Sequence, residues 1–139
     1  MFLAVLLLQA AAPPPRSFPA PGDDAGCDRN AIRYTDEREW DGVWINDFEG
    51  SEFIEGATSL AGLRRNVARA WFDDRDRAAF DGTEFVPGPF GKAYRIRFIG
   101  RRSIDAPPGS RCGFGHMGMS TATIVATRIT AMEPLGDIR

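Results

Sequence analysis

The segment Ala93-Tyr94-Arg95-Ile96-Arg97-Phe98-Ile99-Gly100-Arg101 decides the fold class. Tyr94, Ile96 and Phe98 occupy alternate positions, and Arg95 and Arg97 fill the gaps. Successive side chains of a strand point to opposite faces, so this spacing predicts a strand with an apolar inner and a basic outer face. Val43-Trp44-Ile45-Asn46-Asp47-Phe48 reads as an earlier strand, with Val43 and Ile45 on one face and Trp44 and Phe48 on the other. Apolar groups on both faces suit a strand in a closed or covered sheet. Glu49-Gly50-Ser51 reads as a turn or bulge, and Glu52 to Glu55 as the returning strand of a hairpin. Ala31 to Trp40 is polar and reads as a weak lead-in. Thr121 to Met132, dense in Thr, Ile and Val, is the last expected strand, with Val125, Thr127, Ile129 and Ala131 facing the core.

Between these strands, Leu60, Leu63, Val67 and Ala70 or Trp71 recur at spacings of three and four, which favours a helix capped by Thr58 or Ser59. The rival is a loop through Asn66 followed by a strand from Val67 to Phe72. Asp73 to Arg77 reads as a charged, solvated stretch, and Pro87-Gly88-Pro89 as a turn. The sum is four or five strands and at most one short helix. Closure hides strand edges, so the expected fold is mostly β, a small five-stranded OB-like barrel. An open antiparallel sheet packed on one helix is the alternative.

The 139 residues allow one domain. Phe2 to Leu8 is an unbroken apolar run followed by Ala10-Ala11-Ala12, so residues 1–11 are expected to be a signal peptide. The run is far shorter than the ~20 residues that span a bilayer, and no membrane span is expected. Pro13-Pro14-Pro15 opens a flexible leader over residues 12–30, and residues 31–139 form the domain. Cys27 and Cys112 are the only cysteines; in an exported chain they are expected to form a disulfide. A formal net charge of −2 gives no general attraction to nucleic acid.

His116 is the only histidine and sits in Gly113-Phe114-Gly115-His116-Met117-Gly118. A loop histidine can act as a general base. The simpler expectation is an imidazole that braces the turn through a backbone carbonyl. Asn46, Asp47, Glu49, Glu52 and Glu55 place oxygen ligands around the hairpin, but their spacing matches no EF-hand loop. No serine lies in a strained nucleophile elbow, no CxxC is present, and no cofactor or metal is expected. Trp40, Trp44, Trp71, Phe48, Phe53 and Phe72 are expected mainly in the core, because a small domain needs large side chains to bury enough area. Arg95, Arg97, Arg101 and Arg102 line one side of a strand and its exit, as a solvated face or an anion site.

Gly42-x-Trp44, Asn46-x-Phe48-Glu49-x-Ser51-x-Phe53, Tyr94-x-Ile96-x-Phe98-x-Gly100 and Gly115-His116-x-Gly118 together resemble a set of small secreted proteins of Gram-negative bacteria. The resemblance implies a periplasmic setting and no particular activity. The expected function is a monomeric binding or interaction module without catalysis, serving an envelope protein, peptide or glycan. Trp44, Asp47, Glu49 and His116 are its candidate ligand-binding residues. A small hydrolase centred on His116 and a hairpin carboxylate is the alternative, and a structural envelope protein is the second.

Overall fold

The computed structural model describes residues 32–63, 67–74, 78–80, 82–104 and 113–138. Its strands run in chain order: β1 (Arg38–Asp47), β2 (Gly50–Glu55), β3 (Ala70–Asp73), β4 (Ala79–Phe80), β5 (Thr83–Glu84), β6 (Lys92–Arg102) and β7 (Thr123–Asp137). β1 pairs antiparallel with β2 on one side and β6 on the other. β2 continues to β3, and β6 to β7, both antiparallel. β3 then pairs in parallel with the start of β7 and closes the ring. The protein is therefore a closed five-stranded OB-like barrel, not an open sheet. β4 and β5 form a small hairpin outside the ring, attached through β4 to the middle of β7.

The inward row of β1 is Trp40, Gly42, Trp44 and Asn46; that of β6 is Tyr94, Ile96 and Phe98, as their alternation demands. Trp44 is the hub of the core. Its ring stacks on Tyr94 at 5.4 Å and meets Phe72 at 5.0 Å and Phe85 at 5.7 Å. Phe98 extends the cluster edge-on to Phe53 and Phe72. Gly42 makes room for this packing: a Cβ there would lie 2.2 Å from the Ile54 carbonyl oxygen and 2.8 Å from the Phe53 ring. On the outer face Val43 and its cross-strand neighbour Ile54 are also buried. Both faces of β1 thus carry apolar groups out of water.

Several expectations need correction. The polar lead-in is itself strand: β1 begins at Arg38, and Trp40 is core. Phe48 is not on the inner face, because the hairpin turn takes Phe48 and Glu49, and its ring is 75% exposed. The helix favoured over residues 58–72 does not form. Only a 3-10 turn, Leu60–Gly62, occurs there, its start carries no side-chain cap, and Ala70 to Asp73 are strand. Barrel closure decides this: the Trp71 amide donates to the Ala122 carbonyl at 2.9 Å, and Thr123 Oγ1 donates to the Trp71 carbonyl at 3.1 Å. Such cross-ring bonds outweigh a weak helical spacing. In β7 Ile129 faces inward as expected, but before it Ile124 and Ala126 do so in place of Val125 and Thr127, and Ala131 is exposed. A bulge between the Gly100–Ala126 and Ile99–Arg128 pairs leaves Thr127 unmatched and switches the alternation.

The expected signal peptide, the whole of the leader, Cys27 and Cys112 lie outside the described residues. No described helix is long and apolar enough to cross a membrane.

Candidate functional site

A cleft of about 790 Å³ opens at the end of the barrel where β1 turns into β2 and β3 ends. Its floor belongs to the core. Trp44 is 2% exposed, and its indole N–H donates to Ser51 Oγ at 3.0 Å; that hydroxyl donates on to the Phe72 carbonyl at 2.9 Å. Asn46, 3% exposed, holds one wall. Its Nδ2 donates to the Gly88 and Pro89 carbonyls at 2.9 and 3.2 Å, and its own carbonyl accepts from the Gly91 amide at 2.8 Å. A buried amide with its donors satisfied fixes position at no desolvation loss. It thereby pins the Pro87–Gly91 segment across the barrel mouth.

The opposite wall is the glycine-rich loop. Phe114 and Ser120 exchange backbone hydrogen bonds of 2.8 and 3.0 Å and pinch the loop at its neck. Gly115 has φ +73°, and a Cβ there would come within 2.1 Å of the Trp71 ring. Only glycine combines that backbone with that approach. The loop therefore rests on Trp71, and Phe114 and Gly115 reach the cleft.

The described residues lining the cleft include three carboxylates, Asp47, Asp73 and Asp74, and no lysine or arginine. Burial, together with the neighbouring Asp73 charge, raises the Asp74 pKa above its usual 3.8. At the rim Phe48 and Phe90 meet edge to face, with centroids 5.7 Å apart and 75% and 60% exposed. Val86, Met117 and Met119, also exposed, stand on the same two bordering loops.

The structure brings some of the sequence-predicted site together. Trp44 and Asp47 line the cleft. His116 and Glu49 face each other nearby, with Nε2 and Oε1 4.0 Å apart and both side chains open to solvent. That separation is longer than a hydrogen bond. The imidazole does not brace the turn through a carbonyl; backbone bonds from Gly118 N to Gly115 O and Met119 N to His116 O do so instead. Asp47, Glu49 and Glu52 border a second, outer groove of about 740 Å³ with Ile45, Leu60, Leu63 and Arg69, where Arg69 pairs with Glu52. Glu55 pairs with Arg38 at 3.0 Å. Among the described residues, no three His, Cys, Asp or Glu side chains are grouped to hold a metal ion.

Sequence reasoning missed Asp73, Asp74 and Phe90. The first two follow an aromatic strand end and were expected in solvent; Phe90 follows the Pro-Gly-Pro turn. The basic outer face of β6 is occupied internally: Arg95 and Arg97 both reach Asp41, at 3.4 and 3.2 Å. No protein-family model, curated protein or solved structure matches this chain.

Proposed function

We propose that this chain is an exported, periplasmic binding module without catalysis of its own, and that its ligand occupies the cleft at the barrel mouth. One observation carries the reading. The floor is rigid and internally bonded, while two phenylalanine rings at the rim stand mostly in water. Covering such rings is worth up to about 1.5–3 kcal/mol each. Exposed apolar surface at a mainly apolar cleft that holds a few polar groups is a common mark of a binding site.

Fold geometry supports the location. OB barrels commonly bind ligands over their second and third strands and the loops joining strands one to two and four to five. Here those parts are β2, β3, the Phe48–Glu49 turn and the loop around Gly115, and all but Glu49 contribute to the cleft. That analogy bears on position, not on ligand identity. Carboxylates along the cleft disfavour the phosphates of nucleic acid. The apolar run Phe2 to Leu8 supports export.

The hydrolase reading keeps one supporting observation, the approach of His116 to Glu49. No activated nucleophile accompanies it among the described residues: Ser51 Oγ is engaged between Trp44 and Phe72. The test is a heteronuclear NMR titration of the domain with fractionated envelope peptides and glycans. Shifts should concentrate on Asp47, Phe48, Trp71, Asp74, Phe90 and Gly115. Shifts confined to the outer face of β1 and β6, or none with any fraction, would sink the reading.

A further inference from the structure

What the cleft offers a ligand lies at its rim. Trp44, Asn46, Phe72 and Asp73 all line it, yet each is no more than 3% exposed, so little is left to cover there. Phe48 and Phe90 stand mostly in water and touch each other. A ligand that gains from this surface sets an apolar group between the two rings and leaves its remainder outside. A side chain on a hydrated backbone does that; a small molecule swallowed whole does not.

The polar groups of the lining are largely committed within the protein. Trp44, Asn46 and Ser51 spend their N–H and O–H groups on internal acceptors. The Asp47 carboxylate accepts from the Phe48 amide at 2.9 Å, and Asp73 interacts within the protein. Among the side-chain donors of the lining, the Trp71 indole N–H is the one that makes no hydrogen bond to the described residues. Each sugar hydroxyl taken out of water needs a partner. A single open donor serves a glycan poorly and one backbone carbonyl well.

The ring pair has a definite shape. Phe48 and Phe90 are 88° apart in plane, so they make a notch rather than a flat platform. A third ring enters such a notch edge-on to one and offset on the other, the geometry aromatic quadrupoles favour. The core already repeats it, where Phe98 meets Phe53 and Phe72 edge-on. Charge sets the flanks of the ligand. The Asp74 carboxylate lies beside the Asp73 charge, and no cation among the described residues offsets it. Acidic groups next to the incoming ring are therefore disfavoured.

We infer that the cleft takes an aromatic side chain from a non-acidic peptide segment of a partner protein, seated in the Phe48–Phe90 notch as the anchor of the complex. The inference rests on the binding-module reading and specifies its ligand.

The full chain would be probed with an array of random octapeptides, then by calorimetry with the best-retained peptide. Its companions are a copy with every aromatic residue replaced by Ala, a copy with Glu on both sides of the ring, p-cresol as a free ring, and hexa-N-acetylchitohexaose as the glycan. Retained peptides should be rich in Phe, Tyr or Trp. The Ala copy should bind roughly 10-fold more weakly, and Phe48→Ala and Phe90→Ala should each weaken the parent peptide by a similar factor, the loss of one covered ring. Between about 50 and 500 mM salt the parent's affinity should change less than about 2-fold, because no ion pair holds it. The Glu copy should bind several-fold more weakly, and Asp74→Asn should restore it. Peptides retained without rings, or p-cresol or the glycan binding as tightly as the parent, remove the aromatic anchor; if such binding still responds to Phe90→Ala, the binding module stands. A Glu copy as tight as the parent removes the condition on charge. If no probe binds, the anchor and the module both fall. Should a Phe variant not fold, the Ala copy decides the question on the unmodified protein.

Discussion

At the level of single residues, the cleft holds one group that works against stability and one that supports it. Asp74 is the former. Its folded pKa lies above the unfolded value of 3.8, so between those two values the native state holds more protons than the unfolded state. Stability contributed by the protonated form is present at low pH and is lost as pH rises through the folded pKa. At neutral pH Asp74 is a cost. Asp74→Asn should raise stability at pH 7, by less than about 1 kcal/mol for a half-exposed group, and flatten the decline in stability above pH 3.8. Calorimetric melts from acid to neutral pH would check it; an unchanged profile would remove the claim. Gly115 gives the opposite case. Gly115→Ala must strain a +73° backbone and strike the Trp71 ring, so it should cost roughly 1–3 kcal/mol and shift tryptophan emission to the red as the loop lifts. Asp73, Asp74 and Phe90 were opaque in the sequence because nothing local to Asp-Asp or Pro-Gly-Pro-Phe says which loops will converge on them.

Among the elements, the strands whose neighbours share their alternation were legible and the others were not. Tyr94, Ile96 and Phe98 point inward as read, since β6 is uninterrupted and flanked along most of its length. Ile129 was read correctly, but β7 before Thr127 was misassigned by one position, because the bulge there is set by its partner strand and no residue announces it. Val67 to Trp71 carries a helical spacing, yet the strand wins where closure supplies bonds to Ala122 and Thr123. The outer face of β1 and β6 yields a second pH prediction. Burial is the largest single influence on Asp41 and pushes its pKa up, but the hydrogen bonds and charges of Arg95 and Arg97 together outweigh it and hold the carboxyl below 3.8. Its stabilising contribution is therefore present above 3.8 and fades as pH falls through the lower folded value. Asp41→Asn should cost about 0.2–1 kcal/mol at pH 7 and nothing in strong acid, measured by urea midpoints. Gly42→Ala should cost more, about 1–3 kcal/mol or beyond, since its methyl would meet the Ile54 carbonyl inside the hairpin.

Across the whole molecule, protection should follow the ring. β1 is flanked on both sides and carries Trp44 at the core, whereas β4 and β5 are two residues each and hang from β7 outside the closure. Native-state hydrogen exchange should find amides of β1 and β6 opening only with global unfolding, and those of Ala79 to Glu84 exchanging at far lower free energy; uniform protection would contradict it. The seam between β3 and β7 has one more consequence. It joins Trp71 to Thr123, so the ring lacks its last stave until β7 has been synthesised. A nascent chain stopping short of Thr123 leaves Phe72 and Phe98 without the Ile124, Ala126 and Ile129 side of the core. Such a chain stays pliable while it is still being made.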